Sequence, residues 1–97
     1  MYLKSVLNEQ DLIQFTSASL IIGRNKKEVD YYIPDQSISR QHANVFCQDG
    51  KCYVVDLHSA NGTYINGERI KSGEIRQLVS NDTVQFATAG YQFISCI

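Results

Sequence analysis

Residues 43–57 read ANVFCQDGKCYVVDL, and this stretch decides the fold. Two runs rich in β-branched and aromatic residues flank the dipeptide Asp49-Gly50. Asp-Gly supplies the positive φ that a two-residue hairpin turn demands. Counting outward from that turn sets Gln48 opposite Lys51 and Cys47 opposite Cys52. Ala43, Val45 and Cys47 then face one way, and Asn44, Phe46 and Gln48 the other. Tyr53, Val55 and Leu57 share a face across the turn. Alternation of this kind marks antiparallel strands with one face buried.

The same grammar extends in both directions. Strands are expected near residues 2–7, 12–15, 19–22, 31–33, 63–65, 69–70, 75–78, 83–87 and 91–96, besides 43–47 and 52–57. Asn61-Gly62, Asn66-Gly67, Ser72-Gly73 and Asn81-Asp82 separate further apolar runs, as Asp49-Gly50 does. No window of a dozen residues sustains the three-and-four spacing of an amphipathic helix. About eleven short strands in so short a chain bury their half-apolar faces most economically by closing one sheet on another. The expectation is an all-β fold, a two-sheet antiparallel β-sandwich, with residues 1–97 forming one domain.

Composition removes several function classes. The formal net charge is −1, whereas broad nucleic-acid binding needs an excess of Lys and Arg to displace counterions. A local cationic cluster remains at Arg24-Asn25-Lys26-Lys27. No apolar run approaches the roughly 18 residues of a membrane span, and no signal peptide is visible, so the expected compartment is the cytoplasm without membrane insertion. The odd count of three cysteines argues against a secreted disulfide framework. The hairpin register brings Cys47 and Cys52 close enough for a disulfide to be conceivable, but two reduced thiols are the expectation. No second cysteine pair or histidine stands at metal-ligand spacing, so neither a metal nor a cofactor is expected.

Three polar segments interrupt the strands. Gly23-Arg24 follows the apolar Leu20-Ile21-Ile22. Ser37-Ile38-Ser39-Arg40-Gln41-His42 precedes the strand at Ala43. Ser59-Ala60-Asn61-Gly62-Thr63 leads into the strand at Tyr64. Loops at one end of a sandwich cluster in space and form a typical binding surface. The ordered set Gly23-Arg24, Ser39-Arg40-Gln41-His42, Asn61-Gly62-Thr63 and Asn66-Gly67 resembles the signature of the forkhead-associated (FHA) domain. The resemblance runs from about Leu20 to Phe93 and fills every signature position. It implies an FHA/SMAD-like sandwich that binds phosphothreonine peptides in Ser/Thr-kinase signalling.

The chemistry stands beside the resemblance. A phosphate monoester carries about −1.5 to −2 charge and three strong acceptor oxygens. Arg24 offers the planar donor fork that fits phosphate, Ser39 a hydroxyl, and Arg40 a second cation or a backbone amide. The resemblance makes Arg24, Ser39 and Arg40 the phosphate contacts and Asn61 the residue that holds the peptide main chain. An Asn side chain can donate to a carbonyl and accept from an amide. Gly23, His42, Gly62, Thr63 and Asn66 are the expected scaffold. By the same resemblance His42 fastens the loops by hydrogen bonds, and Thr63 and Asn66 bond backbone in the hairpin beneath Asn61. Gly23 is read as permitting a tight turn. Selection of threonine over serine implies a small apolar niche for the γ-methyl, placed at Ser59-Ala60-Asn61, and loops 25–30 and 33–38 are where specificity three residues beyond the phosphothreonine is expected.

The same residues bear on two other readings. An interaction or assembly module of the same fold, indifferent to phosphate, is the alternative. It is disfavoured because this chain keeps both Arg24 and Ser39. An enzyme lacks support: Ser39 and His42 have no orienting carboxylate nearby in sequence, and no paired carboxylates or Cys–His pair appear. The chain fits a whole protein and one module of a larger multidomain protein equally.

Overall fold

The computed structural model describes residues 1–8, 10–15 and 19–95. Eleven strands follow in chain order: β1 (Tyr2–Ser5), β2 (Leu12–Gln14), β3 (Leu20–Gly23), β4 (Tyr31–Tyr32), β5 (Ala43–Gln48), β6 (Lys51–Asp56), β7 (Thr63–Ile65), β8 (Glu68–Arg69), β9 (Ile75–Leu78), β10 (Thr83–Phe86) and β11 (Ala89–Ile94). Each matches a strand expected from sequence. The expected end of the last one at Cys96 lies outside the described residues.

One sheet has the order β2-β1-β11-β10-β7-β8 and the other β4-β3-β5-β6-β9. Neighbouring strands pair antiparallel, except that β4 runs parallel to β3, Ile22 opposite Tyr31. This exception follows from the connection. The chain leaves β3 at Gly23 and loops back, so that Asp30 donates its backbone N–H to Ile21 O before β4 begins.

The core lies between the sheets. Leu3, Ile13, Val84, Phe86, Tyr91 and Phe93 enter from the first sheet, and Ile22, Val45 and Val54 from the second. Each fully buried side chain of this size contributes about 1.5–3 kcal/mol. On β6 the inward residues are Cys52, Val54 and Asp56. Tyr53 and Val55 share the outer face, where the Tyr53 ring stacks on Phe46 at 5.2 Å between centroids.

The β5–β6 hairpin has the register set by its turn, with Gln48 opposite Lys51 and Cys47 opposite Cys52. Asp49 (φ 54°) and Gly50 (φ 77°) both lie in the left-handed region, as a type I′ turn requires. One expectation is corrected here. Cys47 and Cys52 are not two free thiols but a disulfide. Their place at a non-hydrogen-bonded position brings the Cα atoms to 4.1 Å, which lets the sulfurs meet.

Candidate functional site

Four connections converge at one end of the sandwich: residues 24–30, 33–42, 57–62 and the β10–β11 turn at Ala87-Thr88. Their anchor is a buried carboxylate that the sequence reading did not single out. Asp56, 4% exposed at the end of β6, accepts hydrogen bonds from Ser59 N (3.1 Å), Ser59 Oγ (2.6 Å) and Thr63 Oγ1 (2.7 Å). Burial alone pushes the Asp56 carboxyl up. The donors from Ser59 and Thr63, with the nearby His42 ring, outweigh it and hold the pKa below the ordinary value. Ser59 Oγ accepts in turn from Gly62 N at 3.0 Å. The loop between β6 and β7 is thus wound around one charged group. Thr63 was expected to bond backbone; its partner is this carboxylate.

His42 is fully buried, and both ring nitrogens are engaged. Nδ1 accepts from Ser39 N at 3.1 Å, and Nε2 donates to Gly62 O at 2.8 Å. Those two bonds define the neutral tautomer and join the second polar segment to the third. Burial lowers the His42 pKa, against the Gly62 carbonyl and the Asp56 charge, which raise it.

Gly23 has a different reason from the one expected. Its φ is not in the left-handed region. A Cβ there would fall on the Arg40 carbonyl and within 2.9 Å of Val29 Cγ1. The missing side chain lets the first polar segment lie against the second. Arg24 N then donates to Ser39 O at 2.9 Å and Asn25 N to Arg40 O at 3.2 Å. Gly62, at φ 90°, does occupy the region that side chains avoid. Asn66, at φ 51°, donates through Nδ2 to Asp82 Oδ1 and accepts from Thr83 N, tying the β7–β8 turn to β10.

On this frame the four expected contact residues come to the surface together. Arg24 Nε donates to Ile38 O at 2.9 Å, which fixes the plane of the guanidinium. Its terminal amino groups make no bond among the described residues. Ser39 Oγ accepts from Ala60 N at 2.9 Å, so its own proton is free to donate. Asn61 Nδ2 donates to Ser37 O at 2.9 Å, which orients the amide and leaves Oδ1 and the second N–H. Arg40 is differently placed. It pairs with Glu28 at 3.0 Å, both side chains exposed. Such a surface pair is worth only about 0–1 kcal/mol, so an incoming dianion can displace it.

Beyond Asn61 an open groove of about 590 Å³ is bordered by Ser37, Tyr64, Gln85 and Thr88. Asp35 bonds two of the groove's bordering residues, Ser37 and Thr88. It accepts from Ser37 N and Oγ, and these bonds hold its carboxyl below the usual range. Among the described residues no cluster of His, Cys, Asp or Glu is arranged to hold a metal ion.

Asp56 and Ser59 had a sequence signal. An Asp followed by Ser at the third position is the spacing at which a side chain caps its own turn. The Arg40–Glu28 pair and the close approach at Gly23 had none, because both depend on segments brought together by folding.

The FHA domain family model matches residues 20–87 of the chain. An oxoglutarate dehydrogenase inhibitor from Corynebacterium diphtheriae is 42% identical over 67 residues, covering 69% of this chain and 45% of that protein. Among solved structures, the FHA domain of the CT664 protein from Chlamydia trachomatis superposes with a TM-score of 0.86 at 26% identity, covering 99% of this chain and 97% of that one. The MEK1 FHA domain in complex with a phosphothreonine peptide of HOP1 gives 0.85 at 25% identity, covering 99% and 96%. The chain spans less than half the length of the curated relatives it matches.

Proposed function

This chain belongs to the FHA domain family, and we propose that it is a receptor for phosphothreonine-containing peptides, acting as an adaptor in Ser/Thr-kinase signalling. One observation carries the proposal. The Arg24 guanidinium and the Ser39 hydroxyl are both oriented by the chain itself, and both keep donors unused. Two oriented donors on adjoining loops are what a phosphate dianion needs. The MEK1 FHA domain, which shares the fold, is seen with a phosphothreonine peptide.

In this reading Arg24 and Ser39 take the phosphate, and Arg40 joins them by exchanging Glu28 for it. Asn61 holds the peptide main chain through Oδ1 and its remaining N–H. Gly23, His42, Gly62, Thr63 and Asn66 keep these groups in place. The γ-methyl of phosphothreonine packs at Ser59-Ala60-Asn61, where burying one methyl contributes about 0.8 kcal/mol. Residues 1–97 act as one binding module, not an enzyme, without a cofactor. With so few anchors the affinity is about micromolar.

The proposed compartment is the cytoplasm. Among the described residues no helix is long and apolar enough to cross a membrane. The Cys47–Cys52 bond stands against that compartment, which keeps thiols reduced. Thiol titration of protein prepared without air decides whether the pair is open there.

The test is calorimetric titration against peptide libraries with a fixed phosphothreonine, phosphoserine or unmodified threonine. Binding to the first alone, lost in Arg24→Ala, is the expected result. Equal binding to all three, surviving Arg24→Ala, transfers the reading to a phosphate-independent assembly module.

A further inference from the structure

The four arginines divide into two kinds. Arg40 is paired with Glu28, and Arg76 with Glu68 and Glu74. Arg24 and Arg69 meet no carboxylate among the described residues. Arg24 is already placed at the phosphate.

Arg69 lies on the edge strand β8, directly opposite Tyr64 of β7. Gln85 of β10 stands opposite Tyr64 on the other side. Opposed residues of antiparallel strands project from the same face. Thr63 and Ile65, which alternate with Tyr64, are buried, so Arg69, Tyr64 and Gln85 share the outer face. Glu68 projects the other way, and its carboxylate meets Arg76.

The Arg69 side chain lies against Gly62. A Cβ built on Gly62 would come within 2.7 Å of Arg69 Nε, 3.0 Å of Cζ and 3.1 Å of Tyr64 Cε1. The guanidinium therefore rests on the backbone that immediately follows Asn61, beside the Tyr64 ring. Tyr64, Asn61 and Gln85 line the groove beyond the phosphate site. That groove is otherwise bordered by neutral side chains, and Asp35 nearby is occupied by Ser37 and Thr88. Arg69 stands at the rim of that groove, against Gly62 and Tyr64, with its donor fork unused among the described residues.

We propose that Arg69 is a specificity-determining residue that reads an anionic side chain of the bound peptide, a carboxylate or a second phosphate, where the peptide passes Asn61 into the groove. The inference rests on the phosphothreonine-receptor reading. The physical case is preorganisation. A guanidinium packed against backbone on one side has less freedom to lose than a fully solvated one, and its planar fork matches a carboxylate or phosphate. The seat depends on residue 62 being glycine, because any side chain there would displace Arg69.

The test uses a phosphothreonine peptide with alanine at the flanking positions, and Asp or phosphoserine placed at each flank in turn. Dissociation constants come from fluorescence anisotropy with the wild-type chain, Arg69→Gln and Arg24→Ala. Arg69 is exposed on an edge strand, so Arg69→Gln should fold; its thermal unfolding is measured alongside. An anion at one or two positions should tighten wild-type binding about 3- to 10-fold, more for phosphoserine than for Asp. Arg69→Gln should abolish that gain while leaving the alanine-flanked peptide within about 2-fold. The gain should also shrink at high salt. If no position gains, or if Arg69→Gln keeps the gain, the inference about Arg69 is overturned while the phosphothreonine reading stands. If the alanine-flanked peptide fails to bind the wild-type chain and no flanking anion restores binding, both fall together.

Discussion

At one end of the sandwich β5 returns as β6 through Asp49-Gly50, with a disulfide one pair further in. At the other end β6 reaches β7 through residues 57–62, wound around a buried carboxylate and pinned by a buried imidazole. The first connection is held by backbone conformation and one covalent bond. The second is held by polar side chains whose burial is tolerable only because every one has a partner. A turn needs only the first kind of chemistry. The second kind fixes the positions of loop residues that must stay exposed, and Arg24, Ser39 and Asn61 all sit on it.

The comparison predicts unequal responses to substitution. Asp56→Ala has the largest expected effect. It leaves the Ser59 and Thr63 hydroxyls and the Ser59 N–H without an acceptor in the interior, at a cost of about 3–5 kcal/mol in urea unfolding. Asp49→Ala at the opposite turn should cost at most about 1 kcal/mol, because Asp49 already bears a Cβ in the left-handed region and only its turn preference is lost. Comparable losses at the two sites would break the comparison.

Arg24→Ala comes next. It should weaken phosphothreonine-peptide binding by about 2–4 kcal/mol while changing stability by less than about 1 kcal/mol, because Arg24 is exposed and one hydrogen bond is lost. A loss of stability as large as the loss of binding would make Arg24 a structural residue.

Cys47→Ser is smaller and falls on stability alone. The bridge spans a sequence separation of only five. Closing so short a loop stabilises by at most about 2 kcal/mol. Peptide affinity should not change, since the bridge lies at the far end.

The smallest effect is graded with pH. His42 is held neutral and its pKa lies below that of a free imidazole, first by burial. As pH falls, the unfolded chain takes up the proton first. Stability is therefore full above about pH 6.5 and declines below it, down to the folded-state pKa. A proton on Nδ1 would also face the Ser39 N–H donor and break that link. Unfolding free energy followed from about pH 7.5 to 5.5 should show the decline, and His42→Gln should flatten it. Peptide binding is a poorer readout, because phosphate itself titrates near pH 6.

These contrasts also explain how much was legible beforehand. The strands were readable because alternation and turn dipeptides are local. Asn66-Gly67 and Asp49-Gly50 carry their own φ requirements, and the register follows. The candidate site residues were readable as an ordered set of polar segments between strands. What holds them was less so. The Asp56–Ser59 spacing is a local signal, but the burial of that carboxylate and its bond to Thr63 appear only once the loop folds over the strand Tyr53-Val54-Val55-Asp56. Gly23 was read as a turn residue, whereas its role is to admit a neighbouring carbonyl. Arg69 opposite Tyr64 follows from the Asn66-Gly67 register, but its seat on Gly62 does not. The disulfide was geometrically conceivable from the hairpin and was set aside on composition. Contacts between distant segments have no sequence period, and this is where sequence reading stopped.

The most direct test is to add a phosphothreonine peptide to the isotopically labelled chain and follow its backbone amide resonances. The account predicts large shifts at Arg24, Ser39, Arg40 and residues 59–62, with the resonances of Asp49, Gly50 and Lys51 unmoved. Shifts concentrated at the Asp49-Gly50 hairpin, or none with phosphate present, would contradict it.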